Sequence, residues 1–114
     1  MGGIILRPED RKAVEEVLDA VAKFRRRGPT RGRELVPLVK RLGLLPFKKS
    51  RGDPKYEREG VHAYVTIPNH SEPLTKRTYY SVLSQLEAAA TIIWEAIEEA
   101  EREKKRAPRK GPHV

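Results

Sequence analysis

The sequence predicts an α+β fold: two N-terminal helices, a small antiparallel sheet of three to four strands, and a long C-terminal helix used for oligomerisation. Three observations carry this. Apolar residues recur at helical spacing before residue 43, the period shortens to two between Leu45 and Pro68, and after Thr75 a helical repeat is sustained for three heptads. A chain of 114 residues has room for one domain with a modest core. Residues 1–106 are therefore read as a single unit and residues 107–114 as a flexible basic tail.

The first helix is expected over residues 8–27. Pro8 suits its first position, Glu9 and Asp10 complement its N-terminal dipole, Arg25, Arg26 and Arg27 complement its C-terminal end, and Gly28-Pro29 stops it. Val14, Val17, Leu18, Val21 and Phe24 form its apolar stripe. Thr30 can cap a second helix carrying Leu35, Leu38, Val39 and Leu42 and ending at Gly43. Pro37 either kinks that helix or moves its start to near Glu34.

Strands are expected over residues 45–51, 55–58 and 61–67, separated by turns at residues 51–54 and 59–60. In the third, Val61, Ala63, Val65 and Ile67 share the core face, and His62, Tyr64 and Thr66 share the open one.

Thr75 is the expected N-cap of a third helix reaching to about residue 105, about 45 Å long. Tyr79, Leu83, Leu86, Ala90, Ile93, Ile97 and Ala100 follow a 4-3 spacing, and Val82, Ala89, Ile92 and Ala96 add a second stripe beside it. One small sheet cannot cover so much apolar surface. The expected consequence is a homodimer or homotetramer in which this helix packs both on its own domain and on a partner, through Leu83, Leu86, Ala90, Ile93, Trp94 and Ile97; the alternative is a central helix wholly buried in its own monomer.

Net charge is +8, and it is concentrated: residues 23–58 hold 13 Lys or Arg against 3 Asp or Glu, the footprint of a polyanion binder. The chain has no cysteine, which excludes disulfides, thiolate metal sites and a cysteine nucleophile. Asn69, Gln85 and Met1 are each the only residue of their kind, a depletion that suits a thermophile. Nothing in the sequence has the pattern of a signal peptide or the length of a membrane span, so a cytoplasmic protein without a membrane partner is expected. It shows no Gly-rich phosphate loop, no His-Glu-x-x-His and no ligand cluster at metal spacing. Hence no catalytic residue, metal, cofactor or small-molecule substrate is expected.

Two resemblances bear on this reading. The run Arg31-Gly32-Arg33-Glu34-Leu35, then Leu42-Gly43, a hairpin, Val65-Thr66-Ile67-Pro68-Asn69-His70 and Leu74-Thr75-Lys76-Arg77-Thr78 resembles the small HicA-type mRNA interferase toxins over residues 31–86. That resemblance implies a double-stranded-RNA-binding-like fold. The family's catalytic histidine is replaced here by Asp53 or Pro54, so the nuclease activity does not carry over. In architecture and composition the chain is also similar to the archaeal ThermoDBP-related proteins. This similarity implies single-stranded-DNA binding without catalysis.

The function expected is therefore largely sequence-independent binding of single-stranded nucleic acid, DNA before RNA. Lys48, Lys49, Arg51, Lys55, Tyr56, Arg58, His62 and Tyr64 would supply cations and stacking rings on or beside one sheet face, with Arg26, Arg31, Arg33, Lys76 and Arg77 extending the track. Phe47 is left open between core and surface. Phe24, Tyr79 and Trp94 are read as core or subunit-interface residues. The rival classes are a HicA-like ribonuclease working through His62 or His70, a duplex binder, and a pure assembly protein.

Overall fold

A computed structural model describes residues 3–47, 52–68 and 71–106. Within it lie an α-helix α1 (Asp10–Arg27), a 3₁₀ turn (Gly32–Glu34), a short helix α2 (Val36–Arg41), strands β1 (Leu45–Pro46), β2 (Lys55–Glu57) and β3 (Val65–Thr66), and a 31-residue helix α3 (Lys76–Arg106). The strands form one antiparallel sheet in the order β1-β2-β3. The α+β class and its element order are those read from the sequence.

α1 begins two residues later than expected. Pro8 and Glu9 precede it, and Asp10, far from being an ordinary exposed first-turn acid, is buried. Pro37 settles the second helix in favour of the later start. A proline lacks the N–H that an inner turn needs but is tolerated in the first turn, so α2 begins at Val36. Thr30 caps nothing there; its hydroxyl donates to Glu34 Oε2 at 2.6 Å. Gly43, at φ +83°, takes the left-handed conformation that ends the segment. Gly32 answers a different demand: a Cβ there would collide with the Pro68 carbonyl oxygen and Ile67, so only glycine lets this turn pass beneath the end of β3. The strands are shorter than the alternation suggested.

Thr75 caps α3 as expected, its hydroxyl accepting the Thr78 N–H at 3.3 Å. α1 runs antiparallel along α3. Tyr79 and Tyr80 hydroxyls donate to the carbonyls of Phe24 and Arg25 at 2.5 and 3.3 Å, which satisfies acceptors at the C-terminal end of α1. Arg25 pairs with Glu87 at 2.6 Å, and at the far end Arg11 pairs with Glu101 and lies 5.0 Å from the Trp94 ring centroid.

This arrangement corrects the expected subunit interface. Leu83, Leu86, Ala90 and Ile93 are fully buried within the one chain, as are Val82 and Ala89 beside them, and Ile97 is nearly so. The apolar circumference of α3 is covered by α1 on one flank and by the sheet on the other, which together do what the sheet alone cannot. Trp94 is half-buried at the α1 flank. The C-terminal end of α3 is charged and exposed from Glu98 to Lys105, with Glu101 paired to Arg11. No helix among the described residues is long and apolar enough to cross a membrane.

Candidate nucleic-acid interface

The sheet has one inner and one outer face, and its register decides which side chains share each. Leu45 pairs with Glu57, Lys55 with Thr66 and Tyr56 with Val65, and the Phe47 N–H donates to the Lys55 carbonyl at 2.7 Å. Because neighbours along a strand point to opposite sides, burying Tyr56 and Val65 turns Leu45, Phe47, Lys55, Glu57, Tyr64 and Thr66 outward. Three of these are large, apolar and open: Leu45 is 65% exposed, Phe47 49% and Tyr64 52%. The Lys55 ammonium stands 4.3 Å from the centroid of the Tyr64 ring. Glu57 lies on the same face, so an anion is drawn to its Lys55 end.

The same alternation corrects two residues expected on this face. Tyr56 is 7% exposed and belongs to the core. Arg58 is taken up internally: its guanidinium grips both oxygens of Asp10 at 2.8 and 3.0 Å and donates to the carbonyls of Leu42 and Ile5. Arg7 completes the hub with its own ion pair to Asp10 at 2.7 Å. Burial alone would raise the Asp10 pKa, but hydrogen bonds from Arg58 and from the backbone and side chain of Arg7 outweigh it and hold the carboxyl at about 2. This is structural chemistry, and it withdraws Arg58 from any ligand.

Other cations of the basic stretch are neutralised in the same way. Lys23 pairs with Asp19, Arg25 with Glu87, Arg27 with Glu34 and Arg41 with Glu16. Among the described residues of that stretch, Arg26, Arg31, Arg33, Lys40 and Lys55 have no carboxylate partner. Five of the ten described cations of the stretch are thus already paired with a carboxylate.

The remaining expected residues are spread out. His62 is exposed, on the irregular segment leading to β3. Arg31 is exposed and donates to the Ser71 carbonyl at 2.7 Å. Lys76 and Arg77 open α3, and Arg77 reaches a polar cleft of about 270 Å³ with Asp53, Thr66, Ser81 and Gln85 along the edge of β3. There the Gln85 carbonyl oxygen accepts the Thr66 N–H at 2.8 Å, tying β3 to the helix. Arg26 sits in the last turn of α1, and Arg33 lines a groove beside α2. Lys48, Lys49 and Arg51, in the β1–β2 connection, and His70 lie outside the described residues, as does the basic tail.

Sequence reasoning missed Leu45 as surface and left Phe47 open; the structure exposes both. The signal was present: once Tyr56 is core, Lys55 and its partner Phe47 must face out. Among the described residues, no buried side-chain nitrogen or oxygen lacks a hydrogen-bond partner, and no three His, Asp or Glu side chains are placed to hold a metal ion. No family model, curated protein or solved structure matches this chain.

Proposed function

We propose that this protein is a non-catalytic, largely sequence-independent binder of single-stranded nucleic acid, DNA in the first place, working in the cytoplasm of a thermophile. One observation carries the reading: Leu45, Phe47 and Tyr64 lie exposed together on one sheet face, with the Lys55 ammonium against the Tyr64 ring. A single exposed apolar residue needs no explanation, but three on one face of so small a sheet, Leu45 and Phe47 on the β1 side and Tyr64 on the β3 side with Lys55 and Glu57 between them, support a binding surface. Bases stack on aromatic faces whatever their identity, and each stacked base contributes about 1–3 kcal/mol. Phosphates would be neutralised by Lys55 and by Arg77 at the β3 edge, together with Lys48, Lys49 and Arg51, whose sequence positions lie between β1 and β2. In a homodimer or homotetramer several such faces would engage one strand, raising the effective concentration of each. With the heptad seam buried, that contact would fall to the Trp94 flank and the exposed end of α3.

The test is a titration of labelled oligothymidylate, oligouridylate and duplex DNA at two salt concentrations. Binding to single strands should weaken with salt, with a slope of about −0.7 per phosphate neutralised. Tyr64→Ala should lower single-strand affinity about 5- to 150-fold, as loss of one stacked base implies, while the urea midpoint stays put. Unchanged affinity would remove the sheet face from the mechanism, and tighter binding to the duplex would transfer the reading to double strands.

A further inference from the structure

Beside α2 lies an open groove of about 530 Å³ lined by Arg7, Arg33, Val36, Pro37, Lys40 and Arg41, with no carboxylate in its wall. Its cations fall into two kinds. Arg7 and Arg41 are anchored: Arg7 bonds Asp10 and donates to the Arg41 carbonyl at 3.0 Å, and Arg41 pairs with Glu16 at 2.8 Å. Arg33 and Lys40 are exposed and, among the described residues, have no carboxylate partner. Two uncommitted cations thus flank a small apolar floor of Val36 and Pro37, behind which two further cations are held in fixed positions.

We propose that this groove is a second contact for the sugar-phosphate backbone of the same nucleic-acid strand that lies on the sheet. The inference rests on the single-strand reading above and adds to it a longer footprint. Its first support is charge complementarity, since the two cations left unpaired, Arg33 and Lys40, stand in a wall that holds no carboxylate and so favour a repeating anion. The second is continuity. β1 starts four residues after Arg41, so the groove's end and the first exposed residue of the sheet face, Leu45, are at most roughly 14 Å apart along the chain. The third is shape: Val36 and Pro37 offer a shallow floor with no deep apolar pocket to anchor the side chains of an acidic peptide.

The groove is tested by the double reversal Arg33→Glu/Lys40→Glu, at two exposed positions whose change should leave the urea midpoint in place. Labelled oligothymidylates of about 6 and about 24 nucleotides, chosen to bracket the footprint of a small binding domain, are titrated against the parent and the variant. The expected result is a roughly tenfold or larger loss on the long strand at low salt, a salt slope shallower by about 1.4 for two phosphates, and unchanged affinity for the short one. Equal affinities on the long strand overturn the inference, and so does an equal loss on both strands, which would mark only a general field. Poly-glutamate bound through these residues more tightly than the long strand would give the groove to an acidic protein and overturn it as well. Tyr64→Ala, measured alongside, separates the two readings. Long-strand binding that needs Tyr64 but not Arg33 and Lys40 sinks the groove alone, binding with the reverse dependence sinks the sheet face, and a parent protein that binds neither oligonucleotide sinks both.

Discussion

Along the contact between α1 and α3 the large apolar side chains are buried or half-buried, apart from Leu18, which was expected in the buried stripe and is 38% exposed, whereas on the outer face of the sheet Leu45, Phe47 and Tyr64 all stay open. Val14, Val17 and Val21 of α1 and Tyr79, Leu83, Leu86 and Ile93 of α3 are fully buried, and the helices are pinned at both ends by Arg25–Glu87 and Arg11–Glu101. Leu45, Phe47 and Tyr64, only a few residues from that core, stay open. A protein that holds itself together with most of its apolar side chains can leave these few for a ligand. Burial and ion pairing, more than residue type, distinguish a structural aromatic or arginine from one left free for a ligand: Tyr56 and Tyr64 are eight positions apart and have opposite fates.

The largest effect expected on the closed half comes from Asp10→Ala. It leaves Arg58, whose side chain is 9% exposed, without its carboxylate, and removing one partner of a buried pair costs about 3–5 kcal/mol. Urea unfolding should show that loss, and a loss below about 1 kcal/mol would mean the hub contributes little. The same carboxyl gives a pH signature. Its folded pKa is depressed from 3.8 to about 2, so its contribution is complete above the unfolded value and vanishes as pH falls through the folded one. About 2 kcal/mol of stability should therefore disappear between pH 3.8 and about 2 in the parent protein and not in Asp10→Ala.

Next in size is Leu86→Ala, about 2–5 kcal/mol for emptying a fully buried leucine site. Its value lies in what it does to the native assembly. A seam sealed by α1 predicts that Leu86→Ala lowers the unfolding midpoint but leaves the oligomeric state of the folded protein, read by sedimentation, unchanged, while a seam shared between subunits predicts that it dissociates the assembly. Dissociation would return Leu86 and its neighbours to an interface.

The helices and their order could be read from the sequence because Pro37, Gly43, Thr75 and the 3.6 period act locally. Two things could not. Asp10 looks like any acid in a first turn, and only the arrival of Arg58 from 48 positions away buries it. The heptad from Tyr79 to Ile97 fits a subunit interface and an internal antiparallel helix pair equally well, because both require the same stripe; α1 decides between them, and its contact is tertiary. The candidate site was half readable for a different reason. His62, Tyr64 and Thr66 were sorted correctly by alternation, but Lys55, Tyr56 and Arg58 were grouped by chemistry although a strand sends Lys55 and Tyr56 to opposite faces.

The smallest stability change is expected where the comparison is sharpest. Phe47→Ser removes a ring that is 49% exposed and bonded to the sheet only through its backbone N–H. A substitution outside the core usually stays within about 0.5 kcal/mol, so the urea midpoint should barely move. If the ring stacks on a base, single-strand affinity should nonetheless fall about 5-fold or more. The two measurements pull apart only when a side chain has been left unspent by folding. Should Phe47→Ser instead destabilise the protein by as much as Leu86→Ala while oligonucleotide affinity holds, the ring would be part of the closed half, and the open face would shrink to Leu45 and Tyr64, too little to seat consecutive bases.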